Sequence, residues 1–349
     1  MDVPAGVACV AVGAGLAPHL WKHGPLTMQV AAVAWTTVGL LLGALGVIRL
    51  GRKRGVIWRL DLVALALISA ATAAFVAAPA VAATHVPRPL VGATPSSVGL
   101  AMSATRLKTD DGVQLAAWYV ASTNRAAVVL LHGAGSTRSN VLQQAAALSR
   151  GGFGVLMIDA RGHGASGGRA MDFGWHGDAD VAAALNYLAH RADVDPSRLG
   201  VVGLSMGGEE AIGASGSNDA IRAVVAEGAT GRVAGDHAWL SDAYGVRGTV
   251  TELLARPRDW VTGLLTDAPR PQTLRAAAAA SAGTKYLLIT GGRVADERYA
   301  ADYIASGAPT RTQIWTIPGA GHTAGMRVAG MEWERRVVAF LRTALRVDG

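Results

Sequence analysis

Six short apolar runs, each ending near a small or polar residue, constrain the fold of this 349-residue chain more than any other feature. Runs that are apolar throughout suit strands buried on both faces, as in a parallel sheet. Because helical patterns separate them, we predict an α/β sheet with helices on both faces and the carboxyl ends of the strands along one edge. The six runs are AAVVLLHG, FGVLMID, LGVVGLS, IRAVVAEG, KYLLITG and TQIWTIPG.

The third run leads into GLSMG, a Gly-x-Ser-x-Gly motif between a strand pattern and a helical pattern. This context is typical of a nucleophile elbow, in which a tight turn exposes a serine hydroxyl. Side chains at positions 203 and 207 would collide with nearby backbone, so we expect Gly203 and Gly207 to relieve that clash. Ser205 is therefore the predicted nucleophile, and an incidental serine in a glycine turn is the alternative.

A serine hydroxyl needs a base to take its proton at neutral pH. His322 lies in the glycine-rich loop IPGAGHTAG, after the last strand pattern and before the last helix. From that loop it can reach over the sheet edge to Ser205, so it is the predicted base. His163, which also follows a strand and lies among glycines, is the rival, although it more often would shape a loop.

The base in turn needs a carboxylate that fixes its tautomer. Asp296, in the segment after KYLLITG, is the predicted acid. Glu297 is adjacent to it, and Glu227 ends the preceding strand; both remain alternatives. The chain order of serine, acid and histidine is the one expected for this strand-to-helix arrangement.

An oxyanion hole needs two N–H donors. The predicted donors are the backbone amides of Met206, directly after the serine, and of Ala134 in the loop HGAG. Flanking glycines let that loop approach a substrate closely. His132 is expected to support the loop rather than to act as a base.

The N-terminal part of the chain has a different composition. Residues 27–48 carry no charge, residues 60–83 carry only Asp61, and either run is long enough to span a bilayer. Residues 3–20 are a weaker third candidate. We therefore predict an anchor of two or three transmembrane helices over 1–84, followed by a linker over 85–102 that is rich in Pro, Gly, Ser and Thr.

The loop between the two apolar runs is the most basic short segment, which favours a cytoplasmic loop and an extracytoplasmic C-terminal domain in a cell-membrane protein. A cleaved signal peptide and a buried helix pair are the alternatives.

Much of the formal net charge of +7 belongs to the segments that flank these apolar runs, and no basic stripe interleaved with aromatics suggests nucleic acid. One cysteine, Cys9, excludes an intrachain disulfide.

These motifs together resemble the α/β-hydrolase superfamily, in particular its serine aminopeptidase and dienelactone-hydrolase-like branch. The resemblance covers residues 103–349 and implies an eight-stranded, mostly parallel sheet, an acyl-enzyme, and no metal or organic cofactor.

Such folds often carry a lid, so a small cap is expected over about 230–270, where Trp239, Tyr244, Leu253 and Trp260 line an acyl pocket or simply pack the cap. One departure is that Asp296 lies five residues after Gly291, where family members often place the acid after two to four. The matching stretches are LLHGAGSTR, DARGHGASGG, DPSRLGVVGLSMGG and PGAGHT.

The sequence thus predicts a membrane-anchored serine hydrolase that cleaves an ester, a thioester or a small amide. Its expected partners are a small acyl or peptide-like substrate and the lipid bilayer. An acyltransferase with the same triad and a non-catalytic binding module with the same fold are the alternatives. The sequence does not specify the oligomeric state.

Overall fold

The computed structural model describes residues 5–7, 9–10, 26–51, 56–85 and 87–347. It contains two compact units, one drawn from Met1–Pro87 and Leu254–Asp267, the other from Arg88–Leu253 and Ala268–Gly349. The predicted anchor falls in the first unit and the predicted hydrolase domain largely in the second.

The described part of the first unit contains two long helices that contact each other, α1 (Leu26–Gly51) and α2 (Val56–Thr84). Among the described residues one helix segment, Leu60–Thr84, is long and apolar enough to cross a bilayer, with a mean hydropathy of 2.1. Val33–Arg49 on α1 is apolar but shorter. Length and composition of this kind also fit a signal sequence, so the anchor stays a prediction. Most of the third candidate, 3–20, lies outside the described residues.

The second unit is built on one eight-stranded sheet with the order β1-β2-β4-β3-β5-β6-β7-β8. The first hairpin pairs antiparallel, β2 pairs antiparallel with β4, and every other pair is parallel. The eight-stranded, mostly parallel sheet expected from the sequence is therefore confirmed. The strands are β1 (Ser103–Lys108), β2 (Gln114–Val120), β3 (Ala127–Leu131), β4 (Gly154–Ile158), β5 (Leu199–Leu204), β6 (Ile221–Glu227), β7 (Lys285–Gly291) and β8 (Thr312–Ile317).

Helices cover both faces of this sheet because its central strands are apolar on both sides. Two clusters of buried side chains result, one on each face, such as Leu131 and Leu288 on one face and Val128 and Trp333 on the other. The remaining helices are α3 (Leu142–Arg150), α4 (Gly177–Ala189), α5 (Met206–Ser215), α6 (Leu240–Tyr244), α7 (Val246–Leu265), α8 (Leu274–Ala280), α9 (Ala295–Ala305) and α10 (Gly325–Ala344).

The parallel strands β5, β6, β7 and β8 all end at the same edge of the sheet, so the four segments that follow them begin there. The segment between β6 and β7 is the longest of them and holds α6, α7 and α8. Most of it coincides with the predicted cap region, 230–270, and α7 contributes to both compact units. A cap function for this segment stays a prediction.

Candidate active site

Ser205 occupies a strained turn between β5 and α5. Its backbone angles, φ 53° and ψ −123°, lie in a region that non-glycine residues rarely adopt. A Cβ added at Gly203 would lie 2.1 Å from the Gly207 carbonyl oxygen, and one added at Gly207 would lie 2.6 Å from the His132 carbonyl oxygen. The turn therefore requires glycine on both sides of the serine, as the motif predicts.

His322 comes to this serine from the loop between β8 and α10. Its Nε2 lies 2.8 Å from Ser205 Oγ, although the two residues are 117 positions apart in the chain. The next residue, Thr323, has a positive φ of 50°, so the loop carries backbone strain beside the imidazole. The predicted nucleophile and base are thus within hydrogen-bond distance.

Glu297 holds the other side of the imidazole. Its Oε1 lies 2.7 Å from His322 Nδ1, and its Oε2 accepts a 2.7 Å hydrogen bond from the backbone N–H of Gly291. Because the ionised carboxylate only accepts, Nδ1 must carry the proton and Nε2 is left free to accept the Ser205 hydroxyl proton. The Glu297 side chain is fully buried, so its direction is fixed by packing.

Asp296, the acid predicted from the sequence, does not contact His322. Both acidic residues lie in the first turn of α9, where consecutive side chains point about 100° apart. Asp296 points toward α6 and accepts a hydrogen bond from the Tyr244 hydroxyl. The structure therefore replaces Asp296 with its neighbour, Glu297, as the carboxylate that faces the histidine.

Glu227, the second alternative acid, has other partners. One of its oxygens accepts from the Gly325 N–H at 2.7 Å, and the other accepts from Trp333 Nε1 at 2.9 Å. Its own backbone carbonyl accepts the Ser205 N–H at 2.7 Å. Glu227 thus supports the serine turn and the start of α10, which follows the histidine loop.

The buried carboxylates around His322 favour its protonated form. The hydrogen bond to Glu297 is the main cause that raises the pKa of the imidazole, burial opposes the rise, and the charges of Glu297, Glu209 and Glu227 add to it. The histidine is therefore a stronger base than a solvated imidazole.

Two backbone amides beside Ser205 are available for an oxyanion. Met206 is the first residue of α5, where the N–H has no partner inside the helix. In the described part of the chain, no acceptor takes the Ala134 N–H. The Ala134 loop lies close to the serine, because a Cβ added at Gly133 would be 3.0 Å from Ser205 Cβ. The positions of these two amides agree with the prediction, and their function as oxyanion donors remains a proposal.

Two buried histidines fix this oxyanion loop. His163 Nε2 accepts from the Gly135 N–H at 3.1 Å, and its Nδ1 lies 2.7 Å from the Arg161 carbonyl oxygen. His132 Nε2 accepts from the Ala160 N–H, and burial lowers the pKa of His132 to about 3. Both rings are therefore held neutral, with Nδ1 protonated. His163, the rival base, therefore supports this loop, in line with the loop-shaping role favoured from the sequence, although the sequence did not identify the Gly135 amide as its partner.

Glu209 and Glu210 lie beneath the serine on α5 and are both buried. Glu209 accepts from the backbone N–H groups of Thr230 and Gly231, and burial raises its pKa. Burial raises the pKa of Glu210 well above its ordinary value. Neither faces solvent, so both act within the protein rather than on a cationic substrate.

An aromatic cluster lies beside α9. Trp239 stacks on Tyr299 with ring centroids 5.8 Å apart, and Tyr244 contacts the same ring edge-on. Leu253 and Trp260, the other predicted pocket residues, are 58% and 68% exposed. Of the four side chains predicted to line a pocket, Trp239 and Tyr244 therefore belong to this cluster.

Part of the chain is similar in sequence to known proteins. The serine aminopeptidase (S33) family model matches residues 122–263. An uncharacterised protein of Mycobacterium tuberculosis is 36% identical over 110 residues, and an α/β-hydrolase domain-containing protein of Arabidopsis thaliana is 34% identical over 125 residues. These matches span 31% and 35% of this chain, and only 38% and 39% of those relatives.

Solved structures resemble most of the chain. An esterase of Pyrococcus furiosus aligns with a TM-score of 0.58 at 23% identity, covering 75% of this chain and 98% of the esterase. A dienelactone hydrolase of Anabaena variabilis aligns with a TM-score of 0.50 at 18% identity, covering 70% and 98%. At these identities the likeness concerns the fold.

Proposed function

We propose that the chain, which the serine aminopeptidase (S33) family model matches over residues 122–263 and which shares the α/β-hydrolase fold, is a serine hydrolase that cleaves an ester, a thioester or a small amide through an acyl-enzyme. The observation that carries the proposal is the continuous chain of hydrogen bonds from Ser205 Oγ through His322 to Glu297. A binding module that had lost catalysis would not need this chain to be intact.

In the proposed reaction, Ser205 Oγ attacks the substrate carbonyl while His322 Nε2 takes the hydroxyl proton. Glu297 keeps the imidazole in the correct tautomer and stabilises the imidazolium that forms. The N–H groups of Met206 and Ala134 donate to the oxyanion. The imidazolium then protonates the leaving group, and His322 activates the water that hydrolyses the acyl-enzyme. These steps use side chains and backbone amides of the protein, and our expectation of no metal or cofactor remains a prediction.

The proposed acyl side of the substrate is apolar and lies against Trp239, Tyr244 and Tyr299. These rings are next to α9, which carries Glu297, and large aromatic surfaces favour apolar ligands. A series of esters with increasing acyl length would test this, because an apolar pocket raises kcat/KM as methylenes are added until it is full.

The protein is also proposed to be held at a cell membrane through α2, with the hydrolase domain extracytoplasmic. The apolar segment Leu60–Thr84 and the basic residues before it support this orientation. A reporter fused after Gly349 should be active only outside the cytoplasm. Activity of the reporter in the cytoplasm would contradict the orientation.

The decisive experiment for catalysis is labelling of the detergent-solubilised protein with a fluorophosphonate, which reacts with activated serines. We expect wild type to label and Ser205→Ala to remain unlabelled. Ser306→Ala is the matched control, because Ser306 is exposed and its hydroxyl donates to the Tyr303 carbonyl oxygen. Equal labelling of all three proteins would remove Ser205 as the nucleophile. Product analysis with added alcohols or amines then separates hydrolysis from acyl transfer.

A further inference from the structure

A group of cationic residues lies at the amino ends of the parallel strands, at the edge of the sheet opposite to the Ser205 site. Four adjacent parallel strands each begin beside a cationic residue: Arg198 directly precedes β5, Arg222 is the second residue of β6, Lys285 is the first of β7, and Arg311 directly precedes β8. Parallel strands begin at the same edge, so the four cations are brought into one row. Neighbouring strands are about 4.8 Å apart, which spreads the row over roughly 15 Å.

These cations line a cleft of about 1110 Å³. Its other wall is the second half of α10, which adds Arg335 and Arg336, and Arg346 adds a further cation just after the end of this helix. One carboxylate, that of Asp195, lines the cleft among the residues that the structure describes. The cleft is therefore strongly positive, although α10 directs its carbonyl end toward this wall.

Most of this positive charge is not neutralised by ion pairs. Within the described residues, no carboxylate lies within ion-pair distance of Arg222, Lys285 or Arg346, and the first two are exposed. Arg311 is held by neutral groups: it donates to Ser281 Oγ and to the carbonyl oxygens of Thr284 and Ala278. Its guanidinium is thus positioned in advance, and none of these three partners is a carboxylate.

The other cations are partly paired. Arg335 and Arg336 share Glu332, and Arg198 lies 3.5 Å from Asp195. Arg336 also lies over the Trp315 ring at 4.7 Å, and Trp315 and Phe340 give the cleft an apolar surface beside its charges. A ligand that suits this lining has several negative charges in a row and, in addition, can carry an uncharged part.

From this arrangement we propose that the cleft binds a phosphate-bearing polyanion. Arginine guanidinium groups match the oxygen geometry of phosphate, and a single phosphate is too short to engage four strand ends. The phosphates can come from a soluble oligophosphate or from the headgroup of a phospholipid. The proposal is independent of the hydrolase reaction, because the cleft lies at the amino ends of the strands and Ser205, Glu297 and His322 lie at the carboxyl ends.

The test measures binding of tripolyphosphate to the detergent-solubilised full chain by calorimetry. We expect saturable binding that weakens as salt is added, because salt screens exposed charges. Arg222→Glu with Lys285→Glu should weaken it at least tenfold. The matched control, Lys108→Glu with Arg275→Glu, reverses two exposed cations outside the cleft and should leave affinity within about twofold. Circular dichroism and thermal unfolding confirm that both double variants are folded.

A second arm replaces tripolyphosphate with cardiolipin, whose headgroup carries two phosphates, in the detergent micelles, compared with phosphatidylcholine. Selective binding in the first arm identifies a soluble oligophosphate, and selective binding in the second identifies a lipid headgroup. Absence of binding in both arms would overturn the proposal. An equal loss in the two double variants would also overturn it, since it would show attraction by net charge rather than by the cleft.

Discussion

The two edges of the sheet treat charge in opposite ways. At the carboxyl ends of β6 and β7, Glu227 and Glu297 are buried, and both oxygens of each carboxylate have hydrogen-bond partners. At the amino ends of the same strands, Arg222 and Lys285 are exposed and without a carboxylate partner among the described residues. Buried, paired charge fixes geometry, which suits catalysis, whereas exposed, unpaired charge remains available to a ligand.

The strongest test of the buried edge is removal of the nucleophile. Ser205→Ala should lower kcat for an ester substrate by about 10⁴-fold to 10⁶-fold, because the acyl-enzyme can no longer form. Steady-state hydrolysis measures the effect. A variant that retains more than about a tenth of the wild-type rate would show that another group attacks the substrate.

The next test separates two adjacent carboxylates. Glu297→Gln should lower kcat by about 10⁴-fold, because the amide cannot hold the imidazole in the same tautomer. Asp296→Asn is the matched control; it loses only its charge beside Tyr244, and we expect a change below about threefold. The reverse ranking of the two variants would restore Asp296 as the acid.

A smaller effect is expected at the oxyanion loop. His163→Leu leaves the Gly135 N–H without its acceptor, which should cost about 1–3 kcal/mol of folding free energy. We expect kcat to fall roughly tenfold with little change in KM, because the loop acts on the transition state. His190→Leu, at an exposed histidine, should change neither quantity. An unaltered kcat in the His163 variant would show that the loop keeps its position without this contact.

The pH dependence of hydrolysis tests the influence of Glu297 on the pKa of His322. Hydrolysis requires neutral His322, so kcat/KM should fall as the pH drops through the pKa of this residue. Because Glu297 raises that pKa above 6.5, the acid limb should lie above pH 6.5. In Glu297→Gln the residual activity should show the limb displaced to lower pH. An unmoved limb would mean that another group controls it.

The smallest effect concerns the exposed edge. Arg222→Glu with Lys285→Glu should leave kcat/KM for a neutral ester within about twofold. A strand of six residues separates the two edges by roughly 20 Å, which exceeds the screening length of about 10 Å at moderate salt. A tenfold change in kcat/KM would show that the edges are coupled.

The sequence predicts the sheet, Ser205 and His322 because these depend on backbone: a tight turn needs glycine, and a glycine-rich loop follows the last strand. It mispredicts the acid because the distinction between Asp296 and Glu297 depends on side-chain direction around α9, and residue spacing cannot supply that direction. The sequence favours a loop-shaping role for His163 but does not identify the Gly135 amide as its partner, because the contact between two loops forms only in the folded chain. A signal did exist, since two histidine–glycine pairs follow neighbouring strands, β3 and β4.

Glu227 connects two parts of the site that are far apart in the chain. Its carbonyl group holds the amide of the serine, and its carboxylate holds the beginning of the helix that follows the histidine. The length of the Glu227 side chain therefore helps to set the distance between Ser205 Oγ and the imidazole of His322. Shortening it by one methylene, in Glu227→Asp, would set the whole reaction out of alignment while every reacting group remained present.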